Sequence, residues 1–423
     1  MRRQIALQRL AVSPSSRLSL NQRGLATVVN STSPSHPLAT SSDGVKVEPF
    51  LLEDLAPTLS PDGLKRLPQF TISRKAGFLP REDPLVTLPP AFDRLDSLLK
   101  RMTIKQYDPL TNKKTGPGLL AQGQYGDAVL SELKVNGPEV QAVDKAIASG
   151  DQRLLSALFR DYCFATSAYL FEPTDISYRK TGLYSPGRDV LPAQLAVPLK
   201  KLADALGHQP FMEYASSYAL VNYKFRDLSL TTSHPEGKEA GRYSFPNLDL
   251  IRSFQDPYGS ERGFIAVHIT MVSFSGQAVS STEDILAAAI RQDLPAVEAG
   301  MESLLNTYRK INAVMESMWG RSKPSDYLSF RTFIFGTAPK KGNPMFPQGV
   351  RYEGVREEPF HLRGESGAND SLVPLLDNLL EITASLPKNE LTDTLREFRK
   401  SAAENAGYRV RACADSKATA LSH

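Results

Sequence analysis

The most apolar stretch of this 423-residue chain, Phe264 to Phe274, reads FIAVHITMVSF and carries an imidazole in its first half. The run has the length of a core element. It falls short of the ~18 apolar residues that span a membrane, as does every other run in the chain. It must therefore be buried in the fold. Its β-branched and aromatic residues suit a buried strand or a buried helix, and periodicity alone does not separate the two. His268 adds a second constraint. An imidazole between Val267 and Ile269 loses its water and needs a hydrogen-bond partner. One reading is a core histidine satisfied by a carbonyl. The other is a ring that faces a ligand.

Helical spacing dominates elsewhere. Ala91 to Met102 reads as a helix. Gln141 to Tyr162 places Val143, Ala146, Leu154, Leu155 and Leu158 broadly on one face, which predicts another. Leu195 to Leu206 repeats the pattern through Leu195, Leu199, Leu202, Ala203 and Leu206, with Gly207 as C-cap. Glu283 to Trp319 is helical in character, and Pro295 divides or kinks it. Ser371 to Leu386 has caps on offer in Asn369, Asp370 and Ser371, Pro374 in its first turn, and a broad leucine-rich face. Val45 to Thr87, with short apolar groups between prolines, reads as an extended segment draped over the fold. Strand signals are sparse and no repeat is found. The predicted class is mainly α, in a chain long enough for two domains.

Charge and missing motifs remove several functions. Fifty Lys and Arg against 46 Asp and Glu leave +4, too small and too dispersed for a nucleic-acid partner. The two cysteines, Cys163 and Cys413, are far apart, which excludes a disulfide framework or thiolate zinc site and fits a reducing compartment. There is no dinucleotide fingerprint, no phosphate loop and no H-x-x-x-H pair. Gly364-Glu365-Ser366-Gly367 approaches the hydrolase elbow G-x-S-x-G, but Ala368 stands where the second glycine belongs. A serine hydrolase would have to draw its base from His208, His234, His268 or His361. The first 42 residues are serine-rich and contain Arg2, Arg3, Arg9, Arg17 and Arg23, with no acid before Asp43. That composition predicts a mitochondrial transit peptide; a disordered tail on a cytoplasmic protein is the alternative.

Three segments carry a family resemblance. Arg179 to Tyr223 reads RKTGLYSPGRDVLPAQLAVPLKKLADALGHQPFMEYASSYALVNY. Phe330 to Gly354 reads FRTFIFGTAPKKGNPMFPQGVRYEG. Phe360 to Thr383 contains RGESGANDSLVPLLDNLLEIT. In this order and spacing they resemble the indoleamine 2,3-dioxygenase family, above all its fungal members, over roughly residues 45–399. The resemblance implies a small N-terminal domain, residues 43–250, and a larger all-helical domain, residues 251–423, that holds haem b. It implies a monomer whose ferrous iron binds O2 and inserts both oxygen atoms across the C2–C3 bond of the indole of L-tryptophan. The product would be N-formylkynurenine, at the head of the kynurenine route to NAD.

The same resemblance assigns roles to single residues. Arg331 falls where the family grips the substrate carboxylate, a task suited to a permanently charged bidentate fork. Tyr214, Ser217 and Phe264 match the wall of the indole pocket, and Tyr327 lies where the family puts aromatic contacts. His268 matches the distal position, to hydrogen-bond the indole N–H or the bound O2. Ser366, Gly367 and Ala368 match a small-residue loop near the haem edge.

The match departs from the family after Arg399. The family continues with a helix bearing the proximal histidine that ligates iron. This chain continues KSAAENAGYRVRACADSKATALSH. Only His423 follows His361. A terminal residue is poorly held, whereas a haem ligand must be fixed by its surroundings, so the ligand role is not carried to His423. The expected haem domain is thus incomplete at its C-terminus. A non-catalytic family member lacking the proximal ligand stands beside the dioxygenase as an alternative.

Overall fold

Helices make most of the fold, and several begin or end at a cap residue, a glycine or a proline. The computed structural model describes residues 51–108, 111, 113–234, 241–338, 343–364, 367, 370–380, 382, 386–389, 392 and 393. The expected transit peptide, residues 1–42, the loop residues Ser366 and Ala368, and the segment after Arg399 lie outside the described residues. Between Leu51 and Thr87 the described chain holds only short turns of helix, at Leu52–Leu55, Ala56–Thr58 and Pro61–Arg66, as the proline spacing predicts.

Helix α1, Asp93–Met102, buries Leu95, Leu98, Leu99 and Met102 on one face. The stretch expected as one helix over Gln141 to Tyr162 is two, α2 at Pro138–Ser149 and α3 at Gln152–Thr181. The apolar stripe runs on, but Gly150 turns left-handed at φ 67° and ends α2. Asp151 then caps α3 by accepting from the N–H groups of Arg153 and Leu154, both at 3.0 Å.

Helix α3 is the central column of the fold, and it is buried over most of its length. It contains Pro173, which has no N–H to offer the carbonyl of Tyr169 one turn earlier. Arg188 fills the gap. Its Nη1 donates to that carbonyl, and its Nη2 pairs with Glu172 at 2.6 Å. Deeper in the column Arg160 and Asp161 are completely buried. Arg160 Nε and Arg252 Nη2 donate to the two oxygens of Asp161 at 2.8 and 2.6 Å, and Arg252 reaches on to Asp96 on α1 at 2.6 Å. Burial alone would raise the Asp161 carboxyl. The Arg160 and Arg252 guanidiniums outweigh it and hold that carboxyl below its usual range.

Helix α4, Ala193–Leu206, ends on Gly207 at φ 69°, as predicted. The ambiguous run is a helix, α5, Ser260–Val272. It is buried on nearly every side, which erases the amphipathic period that would have marked it. Helices α6, Ser275–Ile290, and α7, Leu294–Glu316, form a hairpin broken at Gln292, whose φ is 59°. Pro295 sits in the first turn of α7, where a proline costs no hydrogen bond. Taken together, Ser260–Ile290 is long and apolar enough to cross a membrane by length and composition, which a search for unbroken apolar runs misses. It is two helices, and 78% of that stretch's most apolar window is buried inside the fold. A short helix α8, Tyr327–Arg331, and α9, Leu372–Leu379, follow.

The strands are short. Val190–Leu191 pairs in parallel with Val350–Tyr352, which pairs antiparallel with Arg356–Phe360. This small sheet ties the three family-like segments together. Where the second and third cross, Gly336 adopts φ +85° and faces Gly364. A Cβ on Gly336 would lie 2.0 Å from Gly364 N, and one on Gly364 would lie 2.0 Å from Phe335 O. Beyond the crossing, Thr337 N and Ala338 N both donate to Leu362 O, at 2.7 and 2.8 Å.

Candidate functional site

Helix α5 presents Phe264 and His268 one turn apart, on the same face. Against them lies Tyr214–Ala219, a single turn of π-helix. Its bonds span five residues: Tyr218 N donates to Glu213 O and Leu220 N to Ala215 O, both at 3.0 Å. Such turns are uncommon and frequent at functional sites. This one buries Tyr214, Ser216, Ser217 and Tyr218 together.

The rings meet edge to face. Tyr214 stands 6.4 Å from Phe264 and 5.0 Å from His268, at interplanar angles of 86° and 77°. Phe264 continues the chain of rings to Tyr327 at 5.6 Å and Phe330 at 5.8 Å on α8. Four of the expected site residues are thus linked in one chain of ring contacts, His268–Tyr214–Phe264–Tyr327. Together they form one aromatic wall of the kind that suits a flat apolar ligand.

The other expected residues fall around this wall in different ways. Arg331 ends α8. Its Nη1 donates to Ile334 O at 3.2 Å, and its guanidinium lies 5.1 Å from the centre of the Phe335 ring. It still reaches the site electrostatically. The Tyr214 phenol is pushed well up, first by burial and then by the Asp370 carboxylate, with Tyr327 adding to the rise and Arg331 opposing it. Ser217 is fully buried, and its hydroxyl closes its own turn, donating to Glu213 O at 2.6 Å and accepting from Glu213 N at 2.9 Å. Gly367 approaches Tyr214, where a Cβ would sit 3.5 Å from the ring, an ordinary contact. Tyr214 therefore does not demand a glycine there.

Two acidic residues of the site carry no site signal in the sequence. Asp370 reads there only as a helix cap. Its Oδ1 does accept from Leu372 N at 3.0 Å, and its Oδ2 sits 2.5 Å from His268 Nε2. Glu261, in the first turn of α5, accepts from the N–H groups of Phe254 and Gln255 at 2.9 and 2.8 Å and from the Tyr218 hydroxyl at 3.2 Å. It joins α5 to the π-turn. Burial outweighs those donors and lifts its carboxyl to about 7. The available signal was one of type and place: an acid beside an apolar run, and an acid opening a helix.

The described histidines do not supply a haem ligand. His234 stacks on Phe274 at 3.6 Å and its Nε2 donates to Ser273 O at 3.2 Å. His208 packs on Phe159, with Nδ1 3.2 Å from Glu213 Oε2 in a geometry that makes no hydrogen bond. His268 is held by Asp370, and His361 lies at the surface. Among the described residues the site therefore joins an aromatic wall to one buried imidazole paired with a carboxylate.

Fold and site define a mainly helical protein with a partly buried aromatic wall and a buried histidine–carboxylate pair beside it. The sequence profile of the indoleamine 2,3-dioxygenase family matches residues 66–411, and the chain belongs to that family. The match begins later than the expected residue 45 and runs past residue 399. Among curated proteins, the chain is 28% identical over 239 residues to indoleamine 2,3-dioxygenase 1 of Rattus norvegicus, covering 56% of this chain and 52% of the relative. It is 28% identical over 251 residues to the indoleamine 2,3-dioxygenase of Saccharomyces cerevisiae, covering 59% and 51%. A protein named myoglobin from Haliotis diversicolor is 24% identical over 339 residues, covering 79% and 74%. The chain thus spans about half the length of these two indoleamine 2,3-dioxygenases.

Proposed function

We propose that this chain carries the substrate side of a haem-dependent dioxygenase site for L-tryptophan. The overall reaction would insert both atoms of O2 across the indole C2–C3 bond to give N-formylkynurenine, the entry to the kynurenine pathway. The observation that carries this reading is the single aromatic wall of Tyr214, Phe264 and Tyr327 with His268 beside it. The rings would sandwich and orient the indole and exclude water from it. Arg331 would swing from the Ile334 carbonyl to the substrate carboxylate, a stronger, charge-assisted partner. No chemical step is assigned to iron, because the described residues include no ligand for it.

Calorimetric titration of the full chain with L-tryptophan, before and after loading with haemin, tests this reading. Arg331→Ala is expected to weaken binding about 10- to 100-fold, the worth of a charge-assisted hydrogen bond. Unchanged affinity would remove the clamp. The absorption spectrum after adding haemin, then dithionite and CO, reads the cofactor side directly. A sharp stoichiometric Soret band that shifts with CO would show that a haem site forms in this chain, and a spectrum of free haemin would refute haem binding by this chain.

A second reading is a non-catalytic family member that lacks the proximal ligand, and the match to a relative named myoglobin rather than dioxygenase supports it. A folded chain that binds tryptophan but gives the spectrum of free haemin and no turnover would establish it. The serine-hydrolase alternative falls if a fluorophosphonate probe leaves Ser366 unlabelled. The Arg- and Ser-rich residues 1–42 support a mitochondrial address; a reporter fused behind them that stays in the cytosol would overturn it.

A further inference from the structure

The imidazole of His268 is constrained from three directions. Its backbone belongs to the fully packed α5, its ring stands edge-on to Tyr214, and its Nε2 lies 2.5 Å from Asp370 Oδ2. Asp370 is itself fixed. Its other oxygen accepts from Leu372 N, the first residue of α9, and the Leu372 carbonyl accepts from the Tyr308 hydroxyl at 2.8 Å. The oxygen that meets His268 is therefore held in place by a helix start, and both residues are buried. A carboxylate only accepts, so the hydrogen of this bond sits on Nε2. Among the described residues no partner is found for Nδ1.

We infer that Asp370 is a positioning residue that holds His268 in its Nε2–H tautomer and leaves Nδ1 as a hydrogen-bond acceptor for the N–H of an indole ring. The inference rests on the reading of the aromatic wall as an indole pocket, and it narrows that reading. The resemblance left open whether His268 serves the indole N–H or the bound O2. Bound O2 needs a donor, and the Nε2 hydrogen is already committed to Asp370. An indole N–H needs an acceptor, which the remaining nitrogen is. A buried acceptor left unmatched penalises a ligand that lacks the donor. The substrate class is then indoles with a free ring N–H, and N1-alkylated indoles are selected against.

Asp370→Asn tests this with little disturbance of shape. The carboxamide oxygen can keep the bond to Leu372 N, which turns the NH2 group toward His268. That group donates, so Nε2 must become the acceptor and the imidazole hydrogen must move to Nδ1. Long-range 1H–15N NMR of the full chain with labelled histidine reads the tautomer without any cofactor. The expected result is the Nε2–H form in the native protein and the Nδ1–H form in D370N. A native ring that is Nδ1-protonated or doubly protonated at neutral pH, or a D370N ring that keeps the native tautomer, overturns the inference. Asp370→Leu, which can neither accept nor donate, is expected to release a mixture of tautomers and gives a second measurement if D370N folds poorly.

Tryptophan binding then separates this inference from the functional reading beneath it. D370N is expected to weaken L-tryptophan by about tenfold or more while leaving its N1-methyl derivative unchanged. If the tautomer switches but the two ligands respond alike, the indole pocket is wrong and the positioning role of Asp370 stands.

Discussion

Helix α3 and the α6–α7 hairpin carry similar shares of leucine and charge, yet they use them in opposite ways. Twenty of the 30 residues of α3 are buried, including Arg160, Asp161, Glu172 and Asp175. Only Gly300, Leu304, Thr307 and Ile311 are buried among the 23 residues of α7. The hairpin joins the main core through Val279 and Ile311 and packs on itself where Ala278, Ile285 and Leu304 meet, and it turns other large apolar groups outward. Ile290 is 84% exposed, Leu305 50% and the nearby Trp319 73%. A helix closed in on all sides must pair every charge it carries, because an unpaired buried charge is costly. A helix bound through one stripe is under no such demand, and its exposed residues contribute little. Stability should therefore reside mainly in the column, and the exposed face of the hairpin should tolerate change.

The largest expected effect comes from the centre of the column. Asp161→Ala leaves the Arg160 and Arg252 guanidiniums buried without their shared carboxylate. Breaking such a cluster costs about 3–5 kcal/mol, a large part of the stability of most domains. Urea denaturation should show a mutant unfolded or nearly so, and a midpoint close to the native one would refute the account of the column. Leu158→Ala follows. Leu158 is completely buried on α3, and such truncations cost about 2–5 kcal/mol.

Next in size is a pH effect where the π-turn meets α5. The Glu261 carboxyl is lifted to about 7 in the fold, from 4.5. The folded state thus binds a proton more tightly than the unfolded state. The stability this confers is complete below 4.5 and is lost as pH rises through about 7. The shift corresponds to a change on the order of 3 kcal/mol. Glu261→Gln removes the titration. Stability of the native protein relative to E261Q should fall between about pH 4.5 and pH 8. A difference flat across that range would show that the Phe254, Gln255 and Tyr218 donors keep the carboxylate charged throughout.

These contrasts also mark what could be read in advance. α1 and α4 were legible because each has one buried stripe, and Gly207 closes α4 as its sequence implies. α5 was not, because burial on all sides removes the period on which such a reading rests. The α2–α3 break was missed because the apolar stripe stays in phase across Gly150 and Asp151, although those two residues are a stop and a start signal. At the site, the ring residues were legible from residue type and family resemblance. The pairing of His268 with Asp370 was not, because 102 residues separate them and it depends on the packing of α9 against the α6–α7 hairpin. Sequence carries local geometry well and long-range pairing poorly, and the chemistry of this site depends on the second.

The smallest expected effect is the one that tests the hairpin. Leu305 neighbours Leu304 on α7, but Leu304 is buried against the stripe while Leu305 is half exposed. Leu305→Ala removes three carbons that already sit largely in water, and alanine is at least as good a helix former. The expected change in stability is within about 0.5 kcal/mol, against several times that for the same substitution at Leu158. Dye binding to exposed apolar surface should fall, since the truncated group is part of that surface. A loss of about 2 kcal/mol or more for L305A, measured by urea denaturation of the full chain, would mean that this face is covered in solution as Leu158 is. The contrast between column and hairpin would then collapse, and α7 would have to be counted with the core.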